Sequence, residues 1–335
     1  MKKTKNVEFY IGLDVHKNFT AYAVRDKEGK NVKEGSCAST PQDLKANLEP
    51  YLFSCVLGLE TNAEVYPIYN SFKEKYDIRV ANTIQIRTLI GKNDQLDAVR
   101  LSDMLRLGTF PCSFIPDEKT SKLRMLVKIR HGFMEESVSL QLKIKSILRK
   151  FGLPMSNAKS FTKIWCSVLE KHIAFDKDGF QLRHLYDTYK YIENKLETSE
   201  NEMIEFTKSN FAKEYKVIIK INGIGPTITS YLIAEICPIS RFKNIKKLRR
   251  YAGVIPISQE SAGKIYGTYL PKTSSRKLLR YALVAAANCM NKHNENIKKY
   301  YTKKKKQKKI HGKAIMPVAR SISDMIYKTL NAIEA

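Results

Sequence analysis

From Val7 to Val80 the apolar positions follow two alternating rhythms. Phe9, Ile11, Leu13 and Val15 alternate with Tyr10, Gly12, Asp14 and His16, the period of two that marks a strand. A second run, Thr20 to Arg25, follows the short polar connection Lys17-Asn18, so the two predict a hairpin. Asn31 to Cys37 reads as a third strand, Pro41 opens a helix, and Cys55 to Leu59 reads as a buried strand. Ala63 to Tyr76 is helical in pattern, and Ile78 to Ala81 closes a mixed sheet. Three strands, a helix, a strand, a helix and a strand make an α/β arrangement.

Beyond Asp94 the pattern turns helical through Gly108. Between Thr120 and Phe151, residues such as Leu123, Leu126, Val127, Met134, Val138, Leu142, Ile144 and Leu148 recur at helical spacing among many bases. This predicts a long amphipathic helix, either a coiled-coil-like arm or a plain core-facing helix. A second periodic run, Leu182 to Phe211, is placed to return antiparallel to it. From Val217 the chain reads as a compact helical unit, ending in the run Lys303 to Lys309 and a short helix near Ser321 to Ile333. These shifts suggest three sections: 1–112, 113–214 and 215–335.

Composition changes this picture mainly through charge. The 335 residues carry 59 Lys and Arg against 33 Asp and Glu, a net charge of +26 that points to a polyanionic partner. At about 150 residues per domain the length suggests two domains, and an apolar content of 43% is enough for a core in each and excludes wholesale disorder. No apolar stretch approaches the roughly 18 residues of a membrane span. No cleavable leader follows Met1-Lys2-Lys3, so a cytoplasmic protein with no membrane partner is expected. The six cysteines form no C-x-x-C pair, which argues against a zinc site or a disulfide framework.

In so basic a chain the acids at strand ends carry information. Asp14 ends Ile11-Gly12-Leu13-Asp14 and Glu60 ends Leu57-Gly58-Leu59-Glu60, the same apolar-Gly-apolar-acid pattern used twice. Side chains two apart on a strand share a face, so each glycine is expected to leave room beside its carboxylate for a metal ion and a substrate. Asp94 and Asp97 stand three apart, on one face of a helix. Taken singly, Asp14 reads as a turn residue and Asp94 as a helix cap. Taken together, the four form the pattern of a ribonuclease-H-like fold that gathers carboxylates around hard cations, Mg²⁺ foremost and Mn²⁺ as its substitute.

The segments Tyr10-Ile11-Gly12-Leu13-Asp14-Val15-His16-Lys17, Leu59-Glu60-Thr61 and Lys92-Asn93-Asp94-Gln95-Leu96-Asp97-Ala98 resemble the D-E-D-D domain of the IS110 family of insertion-sequence transposases, a domain similar to RuvC-type Holliday-junction resolvases. Matched position by position, Asp14, Glu60, Asp94 and Asp97 fall on the four metal-binding acids, and Asn93 stands where the family often has Thr or Ser. The resemblance implies a RuvC-like N-terminal domain.

The C-terminal section carries a second set of motifs. Ile221-Asn222-Gly223-Ile224-Gly225-Pro226 joins two apolar stretches, with Pro226 suited to the first position of a helix. Glycines and a helix N-terminus favour close approach of a phosphate, so the segment reads either as a helix-hairpin-helix-like clamp or as a plain helix turn. Downstream lie Tyr251-Ala252-Gly253-Val254-Ile255-Pro256, Ser261-Ala262-Gly263-Lys264 and Arg276-Lys277-Leu278-Leu279-Arg280. By itself Ser261 reads as a turn residue. The series nevertheless resembles the second half of the same family, in which a nucleophilic serine occupies the place of Ser261, although Ala262 and Ser274-Ser275 replace glycines common there.

The resemblance implies a mainly α C-terminal transposase domain and DNA cutting and rejoining through a phosphoserine link. It also implies a structured noncoding bridge RNA that selects donor and target DNA, and a homo-oligomer, dimer or tetramer. Lys92, Gly223, Gly225, Lys264, Arg276 and Arg280 are the expected nucleic-acid contacts, with Lys303 to Lys309 as a phosphate-binding or merely solvated run. Two other readings stay open: a structure-specific nuclease using the acids alone, and a noncatalytic nucleic-acid-binding protein.

Overall fold

A computed structural model of the chain describes residues 7–60, 64–86, 93–150, 152, 161–175, 180–261, 264–271, 275–308 and 310–334. By contacts the chain groups into two compact units, Met1–Ile115 and Pro116–Ala335. The helical section expected at 113–214 lies almost wholly in the second.

The first unit runs β1 (Phe9–Val15), β2 (Phe19–Arg25), β3 (Asn31–Ala38), α1 (Pro41–Leu48), a 3₁₀ turn (Glu49–Ser54), β4 (Cys55–Glu60), α2 (Val65–Phe72), β5 (Asp77–Ala81), α3 (Thr83–Ile86) and α4 (Asp94–Arg106). The strands form one sheet in the order β3-β2-β1-β4-β5. β1, β2 and β3 pair antiparallel, whereas β4 and β5 run parallel to β1. This mixed sheet with its helices is the expected α/β arrangement and is compatible with a ribonuclease-H-like fold.

β1 is buried on both faces. Ile11, Leu13 and Val15 pack with Leu44 and Leu48 of α1 and with Ile68 and Phe72 of α2. On the opposite face Gly12 receives α4, because a Cβ on Gly12 would stand 2.0 Å from the Ala98 carbonyl oxygen. Its register partner Gly58 is as tightly covered, with Phe110 and Leu105 atoms 2.7 and 2.8 Å from the position of a Cβ. The expectation that these glycines leave open space beside the acids is therefore corrected. They let α4 and the Phe110 segment press onto the strands, so that Asp14 and Asp97 at the edge of this contact are themselves buried.

The second unit contains α5 (Glu118–Lys150), α6 (Lys163–Phe175), α7 (Phe180–Asn210), α8 (Ala212–Ile218), α9 (Pro226–Ile236), a 3₁₀ turn (Ile239–Arg241), α10 (Ile245–Ala252), β6 (Ile257–Ser261), β7 (Lys264–Tyr269), α11 (Lys277–His293), α12 (Glu295–Lys308) and α13 (His311–Glu334). Arg130 meets Glu200 and Ser137 meets Glu193, so α5 and α7 lie antiparallel, as their periodicity predicts. Leu140, Ile144 and Leu148 of α5 pack with Trp165 and Leu169 of α6 and Leu182 and Tyr186 of α7. At its other end the pair joins the C-terminal core through Leu123, Leu126, Val127 and Met203.

That core centres on α9, whose Tyr231, Leu232 and Ile233 are fully buried, with α11 on one side and α5 and α7 on another. The section is not purely helical, because β6 and β7 form an antiparallel pair. The final helix is 24 residues rather than short and carries Pro317 inside it. Proline removes one backbone donor there, but burial of Ala314, Ile315, Val318, Ala319 and Ile322 on either side holds the helix together.

Candidate active site

The four acids of the first unit are delivered by three elements. Gly12 pairs with Gly58 and Leu13 with Leu59, so Asp14 and Glu60 stand at matching ends of neighbouring parallel strands. α4 crosses β1 at Gly12 through Ala98, which sets Asp97 and Asp94, one turn apart at its N-terminus, beside Asp14. The helix begins here because Asn93 caps it: the Asn93 side-chain oxygen accepts from the backbone N–H groups of Gln95 (3.1 Å) and Leu96 (3.2 Å). The cap is thus Asn93 and not Asp94, which leaves the Asp94 carboxylate free of that task. Thr or Ser at the same place could cap equally well.

Asp14 and Asp97 are buried. Burial pushes the Asp14 carboxyl above its usual range, His16 pulls it down, and the charges of Asp94 and Asp97 push it up again. Glu60 is likewise raised, first by burial and then by Asp14 and Asp97. Each acid is thus close enough to feel others of the set, an arrangement that a cation would relieve.

Two residues beyond the expected set enter this centre. His16 Nε2 lies 3.2 Å from Asp14 Oδ2 and 3.4 Å from Asp94 Oδ1, and its ring stacks on Phe19 at 4.9 Å. Ligand atoms of Asp14, His16 and Asp94 all fall within 4.8 Å of one another. Arg100, one turn after Asp97 on α4, donates to Asp97 Oδ1 at 2.9 Å. The signals were present in the chain: His16 stands two residues after Asp14, just past the end of β1, and Arg100 stands at i+3 from Asp97. Hard carboxylate oxygens with one imidazole suit a divalent metal ion. Lys92 lies outside the described residues.

In the second unit Gly223 and Gly225 lie between α8 and α9, as expected. Gly223 has φ of +93°, and a Cβ on it would meet Met290 Cγ of α11 at 2.6 Å. Gly225 is the N-cap of α9, with no atom within 4 Å of a Cβ there, and Pro226 follows at the first turn. Gly223 thus answers to packing and backbone conformation, while Gly225 leaves the helix N-terminus open.

Ser261 closes β6 and pairs with Lys264, the first residue of β7. Ser258 pairs with Thr268, further from the turn. Ala262 and Gly263 lie outside the described residues. Arg276 forms a two-pronged pair with Glu235 of α9, at 2.8 and 3.1 Å, and Glu235 is buried. Arg280 donates to the Pro271 carbonyl and the Ser275 hydroxyl. Both arginines therefore have partners within the fold. The lysine run is helical through Lys308, where Lys298, Lys299, Thr302, Lys303 and Lys306 line an open groove of about 430 Å³ with Glu295.

No helix among the described residues is long and apolar enough to cross a membrane.

Two family profiles match the chain in sequence order. The transposase profile of the D-E-D-D type of IS110 matches residues 11–152, and the profile described as Transposase IS116/IS110/IS902 family matches residues 215–302. Among curated proteins, the chain is 22% identical over 172 residues to the "Insertion element IS116 uncharacterized 44.8 kDa protein" of Streptomyces clavuligerus, covering 51% of this chain and 38% of that protein. It is 22% identical over 275 residues to "Putative transposase y4qE" of Sinorhizobium fredii (strain NBRC 101917 / NGR234), covering 77% of this chain. The match spans 65% of that second relative, so less than two thirds of either relative's length is represented. With one profile on the acid-bearing sheet and α4, and the other on the segment from α8 through the serine hairpin to α12, the chain belongs to the IS110 family of insertion-sequence transposases.

Proposed function

We propose that the chain cuts and rejoins DNA as a transposase or site-specific recombinase of an insertion sequence, with Asp14, Glu60, Asp94 and Asp97 as metal ligands and Ser261 as nucleophile. The observation that carries this reading is the convergence of four carboxylates from β1, β4 and α4 into one electrostatically coupled group, at the edge of packing that Gly12 makes so close. Asp14, Glu60, Asp94 and Asp97 would hold Mg²⁺, or Mn²⁺ in its place, and the ion would supply polarisation of the scissile phosphate and compensation of charge on the departing oxygen.

The chain's own residues do the rest. Ser261 Oγ forms a bond to phosphorus as the bond from phosphorus to a deoxyribose oxygen breaks; the serine proton passes to a general base, and the departing oxygen takes up a proton. The phosphoserine ester keeps the bond energy, so a hydroxyl on another strand can reverse the exchange and release the serine. Ser261 and the acids belong to different units, and the reading requires them to meet on one phosphate, within a chain or between copies in a dimer or tetramer. Gly225, at the open N-terminus of α9, and the lysine face of α12 are the surfaces assigned to phosphates, together with Lys92 and Lys264. Arg276 and Arg280 act there by fixing the start of α11. By its family resemblance the chain takes a structured noncoding RNA as guide, and the net charge of +26 suits an RNA partner as well as DNA.

The test is covalent trapping. The full chain is incubated with Mg²⁺, the RNA transcribed beside its gene, and duplexes carrying the element ends, then denatured in detergent. A protein–DNA adduct is expected, lost in Ser261→Ala and in Asp14→Asn. Cleavage that survives in Ser261→Ala without an adduct would establish the nuclease reading, and binding without cleavage by the unaltered chain would establish the noncatalytic one. Site choice unchanged after RNA removal would defeat the guide.

A further inference from the structure

His16 is an imidazole set against two carboxylates of the acidic centre, and its place is fixed from two sides. Its ring lies nearly parallel to that of Phe19, 25° between planes, at the start of β2, so the direction of Nε2 is set by stacking. The nitrogen points between two carboxylates from different elements, 3.2 Å from Asp14 Oδ2 and 3.4 Å from Asp94 Oδ1.

These separations are those of neighbouring corners of a coordination octahedron. An ion with ligands at about 2.2 Å holds adjacent ligand atoms about 3.1 Å apart, and opposite ones about 4.4 Å apart. A hydrogen-bonded imidazole could show the first distance from one carboxylate. Presenting one ring nitrogen at that distance to both carboxylates, with all three atoms inside 4.8 Å, leaves a common point that a single ion can reach.

The geometry points to His16 Nε2 as a direct nitrogen ligand of the metal held by Asp14 and Asp94, and thereby to a centre that favours Mn²⁺ over Mg²⁺. This inference rests on the metal-binding reading of the acids. Mg²⁺ takes oxygen ligands almost exclusively and keeps its waters, whereas imidazole nitrogen adds more to Mn²⁺ binding. The +2 histidine is therefore a residue that tunes metal choice, beyond the four acids.

The probe is MnCl₂ with the full-length chain, read by pulsed electron paramagnetic resonance and by calorimetry, both independent of DNA cleavage. The unaltered chain is expected to show ¹⁴N modulation from a directly bound imidazole. In His16→Ala that modulation disappears and Mn²⁺ affinity falls roughly tenfold, while Mg²⁺ affinity moves less than about threefold. The retained Mg²⁺ binding reports that the carboxylates stay in place.

Three results overturn the assignment. They are Mn²⁺ bound without ¹⁴N modulation, modulation that persists in His16→Ala, and equal loss of both metals, which would make His16 a strut between Asp14 and Asp94. In each of these, Mn²⁺ binding that Asp14→Asn abolishes leaves the proposed metal role of the acids intact. Absence of Mn²⁺ and Mg²⁺ binding in the unaltered chain removes both readings.

Discussion

A single glycine decides whether the acids can meet. α4 lies on β1 only because Gly12 has no side chain, and a methyl group there would stand 2.0 Å from the Ala98 carbonyl. Backbone cannot yield as a flexible side chain does, so Gly12→Ala is expected to lower stability of the first unit by about 3 kcal/mol. Under the proposed metal role of the acids it should also weaken Mn²⁺ binding, because α4 carries Asp94 and Asp97. Gly132 is the contrasting case. It sits inside α5 with nothing within 4 Å of a Cβ, so Gly132→Ala should raise stability by about 0.5–1 kcal/mol. Chemical denaturation of both variants, followed by circular dichroism, checks the opposite signs, and a stable Gly12→Ala protein with full metal affinity would contradict the account.

At the scale of elements, polar pairs tie the helices of the second unit together. Glu235, buried in α9, receives both prongs of Arg276 at the start of α11, so Arg276→Met leaves a carboxylate in the core with its main partner gone. A loss on the order of 3 kcal/mol is expected, below the upper range for buried pairs because water reaches the arginine side. The thermal unfolding midpoint of Arg276→Met should therefore fall below that of the unaltered chain. His131 of α5 is the second tie. Its Nδ1 lies 3.3 Å from the Tyr231 hydroxyl, its ring packs on Tyr231 and Tyr281, and Glu135 stands 3.7 Å from Nε2. Burial lowers its pKa, Glu135 opposes this, and Arg130 adds to it. As pH falls through about 6.5 the unfolded chain takes the proton first. Stability is thus full above that value and declines below it. Denaturation midpoints at pH 7.5 and 5.5 should fall less in His131→Gln than in the unaltered chain. Elements with a strong period were legible in the chain: β1 from its alternation, α5 and α7 from their apolar stripes. The β6–β7 pair was not, because Ser258, Gln259, Glu260 and Ser261 are all polar and give no alternation of apolar and polar positions to read. The placement of the four acids near one another followed from the chain, because strand ends and an i,i+3 spacing fix their directions. The glycines beside them were misread as open space, since sequence shows a missing side chain but not the helix that fills its place.

For the whole molecule the decisive quantity is charge. A net +26 spread over a folded chain repels itself, and an anionic partner that displaces condensed counterions relieves it. α12 concentrates this charge: in the described chain Lys298, Lys299, Lys303 and Lys306 follow helical spacing along one groove, with Glu295 the acid at its start. A helix fixes those ammonium groups on one face, whereas a solvated tail would spread them, so the face should add discrete phosphate contacts. Each contact contributes about 0.9 to the negative slope of log affinity against log salt on duplex DNA. Replacing Lys299, Lys303 and Lys306 together by Gln should therefore reduce the slope by between about 1 and 3, according to how many of them meet phosphate. The loss should be independent of DNA sequence, because phosphates carry no sequence information. These lysines are exposed, so the thermal midpoint should hold while the slope changes. Fluorescence anisotropy titrations on unrelated duplexes between 50 and 300 mM salt would read the slopes. An unchanged slope in the triple variant would move the phosphate-binding surface away from α12, and a loss confined to one DNA sequence would mean that the helix reads bases and not the backbone.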